Sequence, residues 1–177
     1  DAALVALKRA LSLAPRDANI HCALADLYAQ CGDIPNATSH LQDALALRPN
    51  WPDKRRAEIL TTLGEHFRKA LLYEDAVTMH RRALALAPND RDIRYNLATA
   101  LIGTWELEEA EALFLGLLES DKDFRRTYVN LGNVYRNLNR LDDAGRIFDE
   151  ALGQDPTNST IFSNLATIAT DRGWYRT

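Results

Sequence analysis

The chain has 177 residues, 46% of them hydrophobic and 26% charged, with a net charge of −4 and an isoelectric point near 5.6. No apolar run approaches the ~20 residues that a bilayer span needs, so no membrane segment is expected. The acidic balance argues against a nucleic-acid binder, which displaces phosphate counterions with a basic excess.

In chain order, Ala3, Leu7, Ala10 and Leu11 recur at helical spacing and predict a helix over 2–13. Asp17 is an expected N-cap for a helix over 18–30, ended by Gly32. Pro35 suits the first turn of the next helix, 35–47, because its missing N–H costs nothing there. Five extra residues fall within Asn50 to Arg56. There Trp51 and Pro52 form a rigid connection, and Asp53 is expected to cap a helix lengthened by about a turn, over 54–70. Its Lys54, Arg55 and Arg56 read as a solvated charged face on a tolerated insertion. Further helices are expected over 73–86, 91–103, 107–119, 124–137 and 141–153. A last one spans 158–172 and breaks at Gly173.

The clearest internal unit runs from Arg126 to Pro156. Tyr128, Leu131, Gly132 and Tyr135 share one helical face, and Ala144, Phe148 and Ala151 share the next, so two antiparallel helices can cross where the side chains are small. Pro15 and Pro49 set a spacing, Pro88 follows five places late, and two further steps of the same spacing pass Lys122 and reach Pro156. Ala3, Ala37, Ala76, Ala110 and Ala144 keep the same phase, as do Ala10, Ala44, Ala83 and Ala151, with Leu117 breaking the second series. First-helix cores recur as His21-Leu24-Ala25-Tyr28, Leu60-Leu63-Gly64-Phe67, Arg94-Leu97-Ala98-Leu101 and Phe162-Leu165-Ala166-Ala169. Arg94, Trp105 and Leu117 make the fourth unit irregular, and looser packing is expected there.

These markers resemble the tetratricopeptide repeat over essentially the whole chain. The resemblance implies an all-α, right-handed α-solenoid of antiparallel helix pairs forming a single domain. Residues 1–17 would supply the second helix of a first repeat, followed by repeats at 18–51, 52–90 with the insertion, 91–124 and 125–158. Residues 159–177 would supply the first helix of a truncated repeat, with Trp174-Tyr175 entering a further helix. Leu4, Leu7 and Leu11 at one end, and Phe162, Leu165 and Trp174 at the other, would then be uncovered, so end-to-end self-association is expected.

No Gly-rich phosphate loop, Gly-x-Ser-x-Gly elbow, Cys-x-x-Cys or His-Glu-x-x-His occurs, so no catalytic residue, cofactor or metal is expected. His21 and His80 take core-facing places and are expected to be satisfied interior imidazoles. His40 and His66 have no second histidine at ligand spacing. Glu108-Glu109 and Asp142-Asp143 begin helices, where negative charge suits the dipole. Cys22 and Cys31 are nine residues apart on one helix and cannot bridge. Free thiols lean toward a reducing cytoplasm but leave the compartment open.

In this family the first helices line the concave side, so residues just off their buried stripe meet a ligand. Asn96, Asn130 and Asn164 recur at the repeat spacing, each one place before a core leucine. A row of carboxamides can grip the backbone of an extended peptide without reading its side chains. Similar rows occur in the tetratricopeptide arm of O-linked N-acetylglucosamine transferase. Tyr95, Thr99, Arg126, Asn133, Arg136, Asn137, Ser163 and Thr167 would complete a polar, mildly basic half of the groove. Asn19, Cys22, Asp26, Gln30, Glu58, Thr61 and Glu65 would line a neutral to acidic half. Thr61, Tyr95 and Val129 stand where the family's chaperone-tail clamp carries its first lysine, which argues against that specificity. The expected role is a scaffold binding an extended peptide or partner protein. The alternative is the substrate-recruiting arm of a larger enzyme such as a sulfotransferase or glycosyltransferase.

Overall fold

The computed structural model describes residues 2–121 and 125–171. Among these, ten α-helices follow one another with no strand: α1 Ala2–Leu13, α2 Ala18–Gln30, α3 Ile34–Leu47, α4 Asp53–Lys69, α5 Tyr73–Leu86, α6 Arg91–Gly103, α7 Leu107–Ser120, α8 Arg126–Asn137, α9 Leu141–Gln154 and α10 Ser159–Asp171. No helix among the described residues is long and apolar enough to cross a membrane. Phe124, Arg172, Gly173, Trp174 and Tyr175, which figure in the sequence expectations, lie outside the described residues.

Local chemistry starts these helices where the sequence places caps. The Asp17 carboxylate accepts from the Asn19 N–H at 2.9 Å, Asp33 from Asn36 at 3.2 Å, and Asp90 from Asp92 and Ile93 at 2.9 and 3.1 Å. Asp53 departs from expectation. Pro52 is the cap residue and Asp53 the first residue of α4, where its carboxylate pairs with Arg56 at 3.4 Å instead of capping a backbone N–H. The insertion does lengthen this helix, to 17 residues against 12 or 13 in α2, α6 and α8.

The turn inside each helix pair passes through the left-handed region at one equivalent position: Gly32 (φ 79°), Leu71 (62°), Trp105 (62°) and Asn139 (57°). Glycine adopts this without cost, whereas a Cβ there costs about 1–2 kcal/mol. Leu71 and Trp105 are both exposed and recover little of that by burial. Leu71→Gly and Trp105→Gly are therefore expected to melt at or above the parent temperature, a gain of up to about 1 kcal/mol after glycine's larger unfolded-state entropy is subtracted. Thermal melts followed by circular dichroism check this, and a lower midpoint for both variants would refute the strain.

The helices group into two compact units, Asp1–Asn89 and Asp90–Thr177. In the first, Ala18, Cys22, Ala25, Leu41, Ala44, Ile59 and Leu63 are buried together, with Trp51, Phe67 and Met79 packed around them. Cys22 is a buried free thiol and Cys31 an exposed one. Burial raises the Cys22 pKa, with Arg55 opposing. The α4/α5 crossing sets Gly64 against the His80 ring, where an added Cβ would fall 2.5 Å from Cε1. His80 is fully buried, yet neither ring nitrogen has a hydrogen-bond partner among the described residues, and Glu65 Oε1 stands 3.8 Å from Nε2. The expectation of a satisfied imidazole is thus corrected at His80. It holds at His21, whose nitrogens meet the Pro15 carbonyl and His40.

In the second unit Leu97, Leu101, Phe114, Leu117, Tyr128, Leu131, Val134 and Phe148 form the core. The fourth repeat is not loose: Phe114 fills the place that Phe148 fills in the fifth, and Leu117 is buried where an alanine was the norm. A second buried stripe escaped the sequence reading. Ile59 and His66, Ile93 and Ala100, Thr127 and Val134, Ile161 and Ile168 are buried at repeat-equivalent places, four residues before and three after the leucine of each first helix. Lying about 40–60° around the helix from that leucine, they widen the buried face of each of these four first helices. Phe162 is 52% exposed, whereas its equivalent Tyr128 is 1% exposed, and α1 has no buried residue.

Candidate partner-binding face

The second unit orders its helices in two layers. Cα atoms of α8 come within 8 Å of both α6 and α10, whereas α7 and α9 do not approach each other so closely among the described residues. The first helices of the repeats therefore form the crowded, inner layer of this unit. Asn96, Asn130 and Asn164 sit on these helices at equivalent, half-buried positions just before Leu97, Leu131 and Leu165.

Asn130 is the best-defined of the three. Its Nδ2 donates to Tyr95 Oη at 2.9 Å and to Thr99 Oγ1 at 3.3 Å. Thr99 spends its own proton on the Tyr95 carbonyl at 2.9 Å, so its oxygen can only accept from Asn130, which fixes which end of the carboxamide faces α6. Both amide hydrogens are thereby used, and the carbonyl oxygen is left as the end able to receive a ligand N–H. Asn164 differs, since its buried Nδ2 has no hydrogen-bond partner among the described residues.

Tyr95 anchors the cluster from three directions. Phe114 meets its ring edge-on at 5.9 Å, the Arg126 guanidinium lies 4.1 Å over its face, and Asn130 holds its hydroxyl. Arg126 is also bonded to Asp92 one repeat earlier. Asp92 was missed in the sequence, although an acid placed one repeat before an arginine was the available signal. It matches the Arg126 charge, so this face is less basic than expected. Tyr95, Thr99, Arg126 and Asn130 are thus brought into one bonded cluster. Asn133 and Arg136 lie half-buried further along α8, and Asn137 is exposed at its end. Ser163 and Thr167 are exposed on α10, and their hydroxyls donate to the carbonyls of Ser159 and Ser163.

The acidic pairs begin α7 and α9 as expected. Asp143 accepts from Arg140 at 2.7 Å and from Arg146, and these bonds hold its carboxyl below the ordinary carboxylate value. Arg140 reaches Glu111 at 2.8 Å as well, tying the start of α9 to α7. Such locked carboxylates suit helix starts rather than proton transfer.

Three tetratricopeptide-repeat family models match residues 16–89, 72–132 and 106–159. The chain belongs to the tetratricopeptide-repeat family. Over 142 residues it is 28% identical to the human protein O-mannosyl-transferase TMTC1, covering 80% of this chain and 15% of that relative. The chain thus spans only a small part of the relative it matches. Among solved tetratricopeptide-repeat structures, it resembles YrrB, described as having an unusual peptide-binding site, with a TM-score of 0.72 at 21% identity over 97% of this chain and 86% of that one. It also resembles the first such domain of Spaghetti (RPAP3), solved with an HSP90 peptide, with a TM-score of 0.62 at 18% identity over 68% of this chain and 95% of that one. These likenesses establish the fold class, an all-α solenoid of antiparallel helix pairs.

Proposed function

We propose that the chain is a protein-interaction scaffold whose second unit holds an extended peptide against α6, α8 and α10. The observation that carries this reading is the fixed Asn130 carboxamide, whose N–H groups are committed to Tyr95 and Thr99 while its carbonyl oxygen is left to accept. Asn96 and Asn164 occupy the equivalent places on the neighbouring first helices and would extend the row along a peptide backbone. The peptide-binding structures that the chain resembles support the same role. The partner is found by affinity capture with the 177-residue chain and mass spectrometry. Replacing Asn96, Asn130 and Asn164 together by Ala is then expected to weaken binding by ~0.5–1.5 kcal/mol for each hydrogen bond lost. An unchanged dissociation constant with intact helical content would remove the row from recognition.

The likeness to TMTC1 favours a second reading, in which these repeats recruit substrate for a transferase domain elsewhere in a longer protein. That reading expects the isolated repeats to bind acceptor polypeptide without consuming a glycosyl donor. It fails if acceptor polypeptide is not retained on the immobilised chain.

A further inference from the structure

The first unit brings three metal-binding side chains together from two helices. His21 projects from α2, and His40 and Asp43 from adjoining turns of α3. The sequence hid this, because His21 and His40 are 19 residues apart and only the antiparallel pairing of α2 with α3 joins them.

His21 is buried, and its Nε2 lies 3.3 Å from the Pro15 carbonyl oxygen. A carbonyl can only accept, so Nε2 carries a proton, and in the neutral ring Nδ1 then presents a bare lone pair. Metal-binding histidines are oriented by this kind of bond from the other ring nitrogen. The His21 Nδ1 lone pair faces His40 Nδ1 at 3.1 Å and an Asp43 carboxylate oxygen at 3.5 Å. A proton on His40 can satisfy the first of these contacts. In the neutral ring it leaves a lone pair and an anionic oxygen opposed in the second, which either a proton on Nδ1 or a metal ion between them resolves.

The donor types and the two short edges together narrow the kind of cation. Tetrahedral bonds of ~2.0–2.1 Å place neighbouring ligand atoms about 3.3–3.4 Å apart, and 3.1 and 3.5 Å bracket that edge. Calcium and magnesium favour shells of six or more oxygens, whereas two imidazoles and one carboxylate suit zinc and its neighbours. His40 is also held in place, since its ring stacks on Tyr28 at 5.6 Å with an interplanar angle of 16°.

We propose that His21 Nδ1, His40 Nδ1 and the Asp43 carboxylate bind one zinc-class divalent ion, with solvent in the fourth position. The ion clamps α2 to α3 and so stabilises the folded first unit, because the unfolded chain does not hold the three ligands together. Lys8, whose Nζ lies 5.6 Å from the centre of the Tyr28 ring, is the nearby positive charge that opposes the ion.

The test is calorimetric titration of the tag-free, metal-free chain with zinc sulfate, alongside absorption spectra with cobalt(II). The parent is expected to take up one zinc per chain, to melt at a higher temperature with zinc, and to give a tetrahedral cobalt spectrum. His40→Ala and Asp43→Asn alter residues that are not buried, so both should keep parental helicity, and each should weaken zinc by about tenfold or more. Lys8→Ala should bind more tightly than the parent. Absence of stoichiometric zinc uptake, equal affinity in His40→Ala, or an octahedral cobalt spectrum would overturn the proposal and leave His21 and His40 as a proton-sharing pair only.

Discussion

Gly132→Leu is expected to destabilise the second unit by roughly 1–3 kcal/mol or more, enough to lower its urea midpoint clearly. A Cβ at position 132 would stand 2.3 Å from Cζ and 2.4 Å from Cε1 of Phe148. Phe148 is fully buried and cannot swing aside, so the helices themselves would have to separate. Alanine alone already meets the clash, and its helix-propensity advantage of about 1 kcal/mol over glycine is too small to offset it. The same argument applies to Gly64→Ala, where the obstacle is the His80 ring. Gly116 and Gly153 are internal controls: both are helical, and among the described residues no atom beyond the adjoining residues and the local helix backbone lies within 4 Å of a Cβ added at either. Gly116→Ala should raise stability by roughly 0.5–1 kcal/mol. If Gly132→Ala and Gly116→Ala moved the urea midpoint alike, the close crossing would be wrong.

Position 132 also illustrates why the fold was legible in the sequence. Gly132 and Phe148 belong to a pattern that returns from one unit to the next, and a pattern imposed by helix crossings can be read without coordinates. The helix ends at Asp17, Gly32 and Pro35 were legible for the same reason, since caps, left-handed turn residues and missing N–H groups act locally. What depends on two distant side chains meeting was harder to read. The Asn96, Asn130 and Asn164 row was visible as a period, but the commitment of Asn130 to Tyr95 and Thr99 depends on how α6 seats against α8. Arg126 looked like a groove cation until Asp92 was placed beside it. The stripe containing Ile93, Thr127 and Ile161 was missed because a polar Thr127 interrupts an apolar series that the repeat register would have exposed. The expectation of loose packing at Leu117 failed because side-chain volume at a crossing is judged by its neighbours, and Phe114 and Leu117 are accommodated together.

His80 carries the second large effect, a loss of stability in mild acid. Burial pushes its pKa down from 6.5 to about 4, with the Glu65 carboxylate opposing and Arg68 reinforcing the shift. Arg68 is itself bonded to Glu65 at 2.9 Å, which blunts the carboxylate's help. In the unfolded chain His80 titrates near its ordinary value of about 6.5. Between pH 6.5 and 4 the unfolded state therefore binds a proton that the folded state refuses, so stability falls as pH is lowered through this window and levels off below it. A shift of this size corresponds to about 3 kcal/mol in full, and about 2 kcal/mol of it should be lost between pH 7 and pH 5. His66 and His40 are also pushed down by burial and add to the loss with the same sign. His80→Leu isolates the His80 share, because the equivalent place in the preceding repeat is Leu41, which is buried there. Removing two buried nitrogens without partners should leave this variant at least as stable as the parent at pH 7. On going to pH 5 it should lose about 2 kcal/mol less than the parent, measured as urea unfolding free energies at the two pH values. Equal acid sensitivity in the two proteins would mean that the His80 imidazole reaches a proton in the folded state, and that the α4/α5 crossing admits water.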